Sequence, residues 1–426
     1  MKNIALILII IFSNACCFAQ WSTNSSINSV ICNSAIDHYN PKSIPDGKGG
    51  TIIVWYNAGN IYAQRINPSG QTQWLTNGVI ICNVANNIQI VPSVISDGDG
   101  GAIISWDDYR NGHDYDIYAQ RINASGLAQW TANGVRLNND FYDQYSPAIT
   151  SDGNKGAIIT WLDYTVSTLY ADIYAQHLDS MGIATWLTNG IAVCTASVDQ
   201  KYQTIESDGI GGAIITWEDN RLGSYHIYAQ RINTFGIAQW LNDGIAICTA
   251  ANSQLYPVII ADGNSGAIIT WHDTRAGGAG DYDIYAQRIN GLGVAQWTIN
   301  GVAICTEVSD QTHPKMVSDG NNGAIITWMD KRNGFDFDIY AQRINSSGNG
   351  QWINNGVAVC VAANDQSSPA IASGNSGSAI ITWQDIRNNS FYDIYSQRLN
   401  SSGAVNGLQT VLWFPMRWII RLLPRL

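Results

Sequence analysis

Short apolar runs rich in Ile, Val and Ala recur along the chain, and seven of them end on a tryptophan: Trp55, Trp106, Trp161, Trp217, Trp271, Trp328 and Trp383. A cleanly alternating stretch around Ile-Tyr-Ala-Gln follows each, with its tyrosine at Tyr62, Tyr118, Tyr174, Tyr228, Tyr285, Tyr340 and, with Ser for Ala, Tyr395. Both series step by about 55 residues, and helical periodicity is scarce, so the chain reads as an array of small β units. The unit Pro314 to Ala362 shows the grammar. Pro314–Ser318 predicts strand A, ended by an Asp319-Gly320 turn, and Gly323–Trp328 predicts a buried strand B. Asp338–Asn345 alternates as strand C, Ser346-Ser-Gly348 turns the chain, and Gly356–Cys360 predicts strand D.

Four strands per unit and seven units predict an all-β fold, a seven-bladed β-propeller of four-stranded blades. The A-B-C portion occurs seven times, from Pro41–Asn67 to Pro369–Asn400, but the first tryptophan-plus-D copy, Trp21 to Cys32, precedes them all. Blade seven therefore lacks its own outer strand, and Ser29–Cys32 is expected to close the ring as an N-terminal outer strand. A β-solenoid is the alternative, although its coils are usually shorter and need no such offset.

Residues 1–19 read as a secretory signal: Lys2, an apolar stretch from Ile4 to Phe12, and Ala19 before Gln20. A lipoprotein reading would use Cys16 or Cys17. The expected organisation is signal 1–19, propeller 20–403, and a basic apolar tail 404–426 outside it. Export, a monomer and no membrane span in the mature chain follow as expectations; for the tail, interfacial anchoring stays open beside disorder.

A formal charge of −11 and scarce lysine argue against nucleic acid, and against anionic polymers generally. Cys32, Cys82, Cys194, Cys248, Cys305 and Cys360 occupy one place in six different units, with Asn138 in the remaining one. Equivalent positions on separate blades lie too far apart to pair, so six free thiols are expected, read as small buried apolar groups.

The units resemble the bacterial secreted propeller repeats related to sialidase-like proteins, in the Pro-led strand, the Gly-rich turn, the strand ending in Trp and the Asp-Ile-Tyr strand. The resemblance covers residues 21 to 403 and implies a propeller scaffold, with sialidase-type hydrolases and lyases among its activities. The family's Asp-box at the C–D turn is degenerate here: Asn123-Ala-Ser-Gly126-Leu-Ala-Gln-Trp130 lacks its aspartate, and no Arg-Ile-Pro motif of a sialidase site appears.

Because the units are near-copies, each is a ruler for the others. Recurrent groups are first folding devices: Asp108/Arg110 and its four equivalents, with Asp116 and its equivalents, suggest two carboxylates around one guanidinium. Asp97-Gly-Asp99-Gly has a calcium-like look but sits at an ordinary A–B turn, so no metal is expected. The histidines show no zinc spacing, and neither a nucleophile elbow nor a phosphate loop occurs. No cofactor is implied.

Gln144, Gln200, Gln254, Gln311 and Gln366 recur three residues before the strand A proline, or its Gln203 replacement, as do Gln89 and, in blade one, His38. They either hydrogen-bond sugar hydroxyls or satisfy backbone groups. Among the variable B–C loops, Tyr109, Tyr164 and Phe335 are the freest aromatic candidates for ligand contact. Of three glutamates, Glu206 and Glu218 fall in one blade, a candidate acid/base pair if their side chains converge. Lys42 and Lys315 would serve as counter-charges on the inner strands. The functional expectation is non-catalytic binding of a glycan or exported protein through the B–C/D–A face. A glycoside hydrolase or lyase, or a structural spacer, are the alternatives.

Overall fold

A computed structural model describes residues 30–84, 88–164, 170–276, 281–387 and 391–405. The chain folds as a seven-bladed β-propeller with strands in meander order A-B-C-D, all antiparallel; one 3₁₀ turn, Asn375–Gly377, is the only helix among the described residues. No helix among them is long and apolar enough to cross a membrane. Blade four is representative: Gln200–Ser207, Ala213–Asp219, His226–Ile232 and Ile245–Cys248. From blade one to blade seven, strand A of each blade adjoins strand A of the next.

Strand A begins three residues earlier than its proline suggests, at Gln311 in blade six. The residue before the proline bulges out with positive φ: Tyr202 (52°), Tyr256 (53°) and His313 (53°) in blades four to six. The register shifts there, which lets a proline without an N–H sit inside a strand. In blade four Gln203 stands for the proline and the bulge persists. Strand B runs two residues beyond its tryptophan, to Asp219 in blade four.

Strand B supplies the core. Trp106, Trp161, Trp217, Trp271 and Trp328 are fully buried, and each packs into a cluster shared with the preceding blade. Every such ring withdraws a large apolar surface from water, worth about 2–3 kcal/mol apiece. Glycine before strand D is obligatory: at Gly244 (φ +84°) a Cβ would stand 2.5 Å from Trp217 Cη2.

A polar clasp ties the rim at five of these junctions. The Arg110 guanidinium forks onto Asp108 (Nε to Oδ1 2.9 Å, Nη2 to Oδ2 2.5 Å) and donates to Cys82 Sγ of the previous blade at 3.3 Å. It also lies 3.6 Å over the Tyr118 ring. Trp106 Nε1 donates to the same carboxylate at 2.8 Å. Arg221, Arg275, Arg332 and Arg387 repeat the sulfur contact at 3.1–3.3 Å. Two expectations are thereby corrected. The six described cysteines are free, but five of them accept from arginine rather than acting as mere apolar filler, and Cys32 meets His38 Nε2 at 2.9 Å. Only one carboxylate takes the guanidinium; the other, Asp116, pairs with Arg136 instead. At the blade two–three junction Asn138 replaces the cysteine, and Asp163-Tyr164-Thr165 stands where the five clasp blades place Asp-x-Arg.

At the opposite face, Asp97 accepts the Asp99 and Gly101 N–H groups through Oδ1, and its Oδ2 holds Arg121. Its carboxylate is thus used by the turn itself.

Among the described residues blade seven has three strands, Gln366–Ser373, Ala379–Asp385 and Asp393–Leu399. Of the expected closing strand, Ser29 lies outside the described residues and Val30–Cys32 carry no strand pairing. Asn33 N–H nevertheless donates to Asn77 Oδ1 at 2.9 Å, as Asn83 does to Asn133 and Thr195 to Asp243 in following blades. Cys32 so occupies, beside blade one, the rim position its counterparts hold beside theirs. Ile380 of blade seven is 46 % exposed whereas Ile325 and Ile268 are fully buried, which makes the seven–one seam the least covered. The expected signal 1–19 and residues 406–426 of the expected tail lie outside the described residues; Val405 still bridges Leu399 as in other units.

Candidate functional site

The bulges that open each strand A also shape the mouth of the central channel. A bulged residue turns its N–H away from the ladder, and the residue after the strand B tryptophan in the preceding blade receives it. Tyr256 N–H donates to Glu218 Oε1 at 2.6 Å, Ser146 N–H to Asp107 Oδ1 at 3.0 Å, and His313 N–H to His272 Nδ1 at 3.4 Å. All three acceptors are buried. Burial drives the Glu218 carboxyl up to about 7, against the lowering by the Tyr256 N–H and the Lys201 charge, and raises Asp107 well above the carboxylate range. Burial, with the neighbouring His313, takes His272 down to about 3, so that it is neutral and free to accept.

Glu206 and Glu218 do not meet. Glu218 lies opposite Lys201 in the A–B ladder and Glu206 opposite Ile214, five residues further along strand A. With the bulge between them, the two levels are four residues apart on strand B, about 13 Å, against the roughly 5–9.5 Å that separates paired carboxylates in glycosidases. Glu218 is moreover fully enclosed, and its Oε2 has no hydrogen-bond partner.

The glutamines serve the backbone. Gln144, Gln200, Gln254, Gln311 and Gln366 are completely buried. Their Nε2 groups donate to carbonyls of the loop entering strand A: Gln200 to Val198 O at 2.7 Å, Gln311 to Ser309 O at 2.7 Å, Gln366 to Asn364 O at 2.6 Å. Gln144 donates to Tyr142 O at 2.5 Å and Gln254 to Ala251 O at 3.2 Å. None lines a cavity at the mouth.

Of the loop aromatics, Tyr109 packs on Tyr115 (4.9 Å between ring centres), which continues through Tyr145 to Tyr164. Phe335 is 89 % exposed at a loop tip, away from the cavity. Tyr164 does reach the mouth, where a cavity of about 470 Å³ is bounded by Tyr164, Lys201, Tyr202, Tyr256, His313 and Lys315. Tyr202 and Tyr256 lie 4.5 Å apart, and Tyr256 stands 5.5 Å from His313 and 5.0 Å from His272. Lys201 rests 3.9 Å over the Tyr225 ring. Tyr202, Tyr256 and His313 went unnoticed in the sequence although one signal marks all three: each immediately precedes the strand A proline or its replacement.

Among the described residues no group of His, Cys, Asp and Glu has the arrangement of a metal site. The arrangement offers ring faces, phenol hydroxyls, a primary amide from Gln203 and ammonium groups around one open cavity.

No family model matches the sequence, and no curated protein matches it. Solved structures do match. A PL25 ulvan lyase bound to a GlcA–Rha3S saccharide shares 12 % identity with a TM-score of 0.48, over 91 % of this chain and 94 % of that one. Prolyl oligopeptidase B from Galerina marginata shares 11 % (TM-score 0.49; 88 % and 51 %), and the Hadza microbial sialidase Hz136 9 % (0.42; 78 % and 71 %). At such identities the likeness is one of chain path: a β-propeller whose structural neighbours include glycoside hydrolases, a polysaccharide lyase and a sialidase.

Proposed function

We propose that this propeller is an exported, monomeric saccharide-binding protein that holds its ligand at the channel mouth without cleaving it. The observation that carries the reading is the arc of Tyr164, Tyr202, Tyr256 and His313 around one cavity with amide and ammonium donors beside it. Sugar rings present C–H faces to aromatic rings and hydroxyls to such donors. The two glutamates of blade four, held far apart, supply no acid/base pair. A glycan array probed with the mature chain tests it. Tyr256→Ala and Tyr164→Ala should each weaken a hit about tenfold, the equivalent of ~1.4 kcal/mol. Turnover of the bound glycan by the wild type would replace this reading with a hydrolase or lyase. A clean negative from folded protein would leave a protein-binding or spacer role.

A further inference from the structure

The chain has seven lysines, and three of them, Lys42, Lys201 and Lys315, stand on innermost strands. Lys42 and Lys315 hold the same register position, opposite Val54 and Thr327 on their strand B neighbours. At that level the other blades place Ser93, Ala148, Thr204, Val258 and Ala370. The ring of seven thus carries two cations and no acid, in a protein whose formal charge is −11. Lys315 and Lys201 line the same cavity, whose walls include no carboxylate.

The expected counter-charge is absent from these lysines. Glu206 lies one level deeper, two residues beyond Thr204; its Oε1 accepts the Ser207 N–H at 3.1 Å, and burial raises its pKa with no lysine lowering it. Among the described residues neither Lys42 nor Lys315 forms an ion pair, whereas the five clasp arginines and five arginines at the A–B turns do. The enclosing walls, and then the charge on Lys42, lower the pKa of Lys315. Both lysines are exposed, so the two like charges stand open to an anionic ligand. Scarcity of lysine in the whole chain, which argued against anionic polymers, makes this concentration at one site the more telling.

We propose that the channel mouth is selective for an acidic saccharide, its carboxylate or sulfate seated by Lys315 and Lys42, with Lys201 at the rim and the sugar ring against Tyr202 and Tyr256. This rests on the saccharide-binding reading above. It is tested by calorimetric titration of the mature chain with matched pairs: oligogalacturonate and its methyl ester, and sulfated and desulfated carrageenan oligosaccharides. The charged member should bind at least about tenfold more tightly. That preference should fall with added salt, and the K42Q/K315Q double variant should erase it. Glutamine removes the repulsion and nearly keeps the length, so the double variant should melt no lower than wild type. Equal binding of both members of a pair, or a preference that survives in the double variant, would overturn the inference. Inorganic sulfate separates its failure from that of the saccharide reading. A melting-temperature rise in sulfate over chloride at equal ionic strength that is larger in the wild type than in the double variant upholds the anion site even if no sugar binds. Equal rises in the two proteins, with no acidic sugar bound, overturn it.

Discussion

Glu218 offers the sharpest test of the channel-mouth architecture. Its Oε1 accepts the Tyr256 N–H at 2.6 Å, its Oε2 has no partner, and none of the residue is exposed. Burial lifts its pKa from 4.5 to about 7 in the folded protein. Between those values the folded state holds a proton that the unfolded chain releases, so stability is greatest below pH ~4.5 and declines as pH rises towards 7. A shift of roughly 2.5 units corresponds to about 3 kcal/mol lost by pH 8. Glu218→Gln keeps an oxygen for Tyr256 and cannot ionise, so it should recover that amount. With a melting entropy of roughly 0.8 kcal/mol/K for a chain of this size, the variant should melt about 4 °C above wild type at pH 8. At pH 4.5 the two should nearly coincide. Thermal scans of both proteins from pH 4 to 9 read the difference, in which Asp107 and other buried acids cancel. A difference that stays flat with pH, or a variant that is less stable at pH 8, would refute the argument from burial.

Gly244→Ala puts a Cβ 2.5 Å from Trp217 at positive φ and should cost about 2–4 kcal/mol, read by urea denaturation. Arg221→Met strips the fully buried Asp219 of its bidentate partner and should destabilise by about 3–5 kcal/mol, part of which Asp219→Asn in the same chain should restore; no loss in the single variant would sink the clasp's energetic role. Burial pushes the thiols of Cys194, Cys248 and Cys305 up to about 12, so a thiol reagent at pH 8 should leave them intact in native protein. Denatured without reductant, the mature chain should yield six thiols; fewer would mean a disulfide.

The repeat made the blade count legible because it writes each tryptophan and Ile-Tyr pair seven times over. Contacts across a junction were harder to read, since they join residues about 25 to 60 positions apart that no local pattern links. The arginine fork illustrates this: Asp108 and Asp116 both lie near Arg110 in sequence, yet the second hand on the guanidinium is Cys82 of the previous blade. Glutamate spacing likewise hid that Glu206 and Glu218 sit at different depths of one hairpin. The bulge before the strand A proline was the decisive local feature. It turns Tyr202, Tyr256 and His313 towards the channel, and a proline alone does not announce a positive φ in the residue ahead of it. Lys42 and Lys315, by contrast, were open to the ruler of equivalent positions and needed only the ring's other five members beside them.

The rim clasp is head-to-tail: blades four, five and six each give sulfur to one neighbour and take it, with Asp and Arg, from the other. A module built this way is compatible with any copy of itself, so duplication adds a blade without inventing an interface. At one junction both halves are missing. Asn138 stands where the thiol would be, and the adjoining blade has likewise given up the Asp-x-Arg spacing. At the seven–one junction, by contrast, Cys32 stays although blade one has Asn57-Ala58-Gly59 in place of Asp-x-Arg, and the sulfur meets His38 instead; the two halves of a joint stand on different copies and are separable.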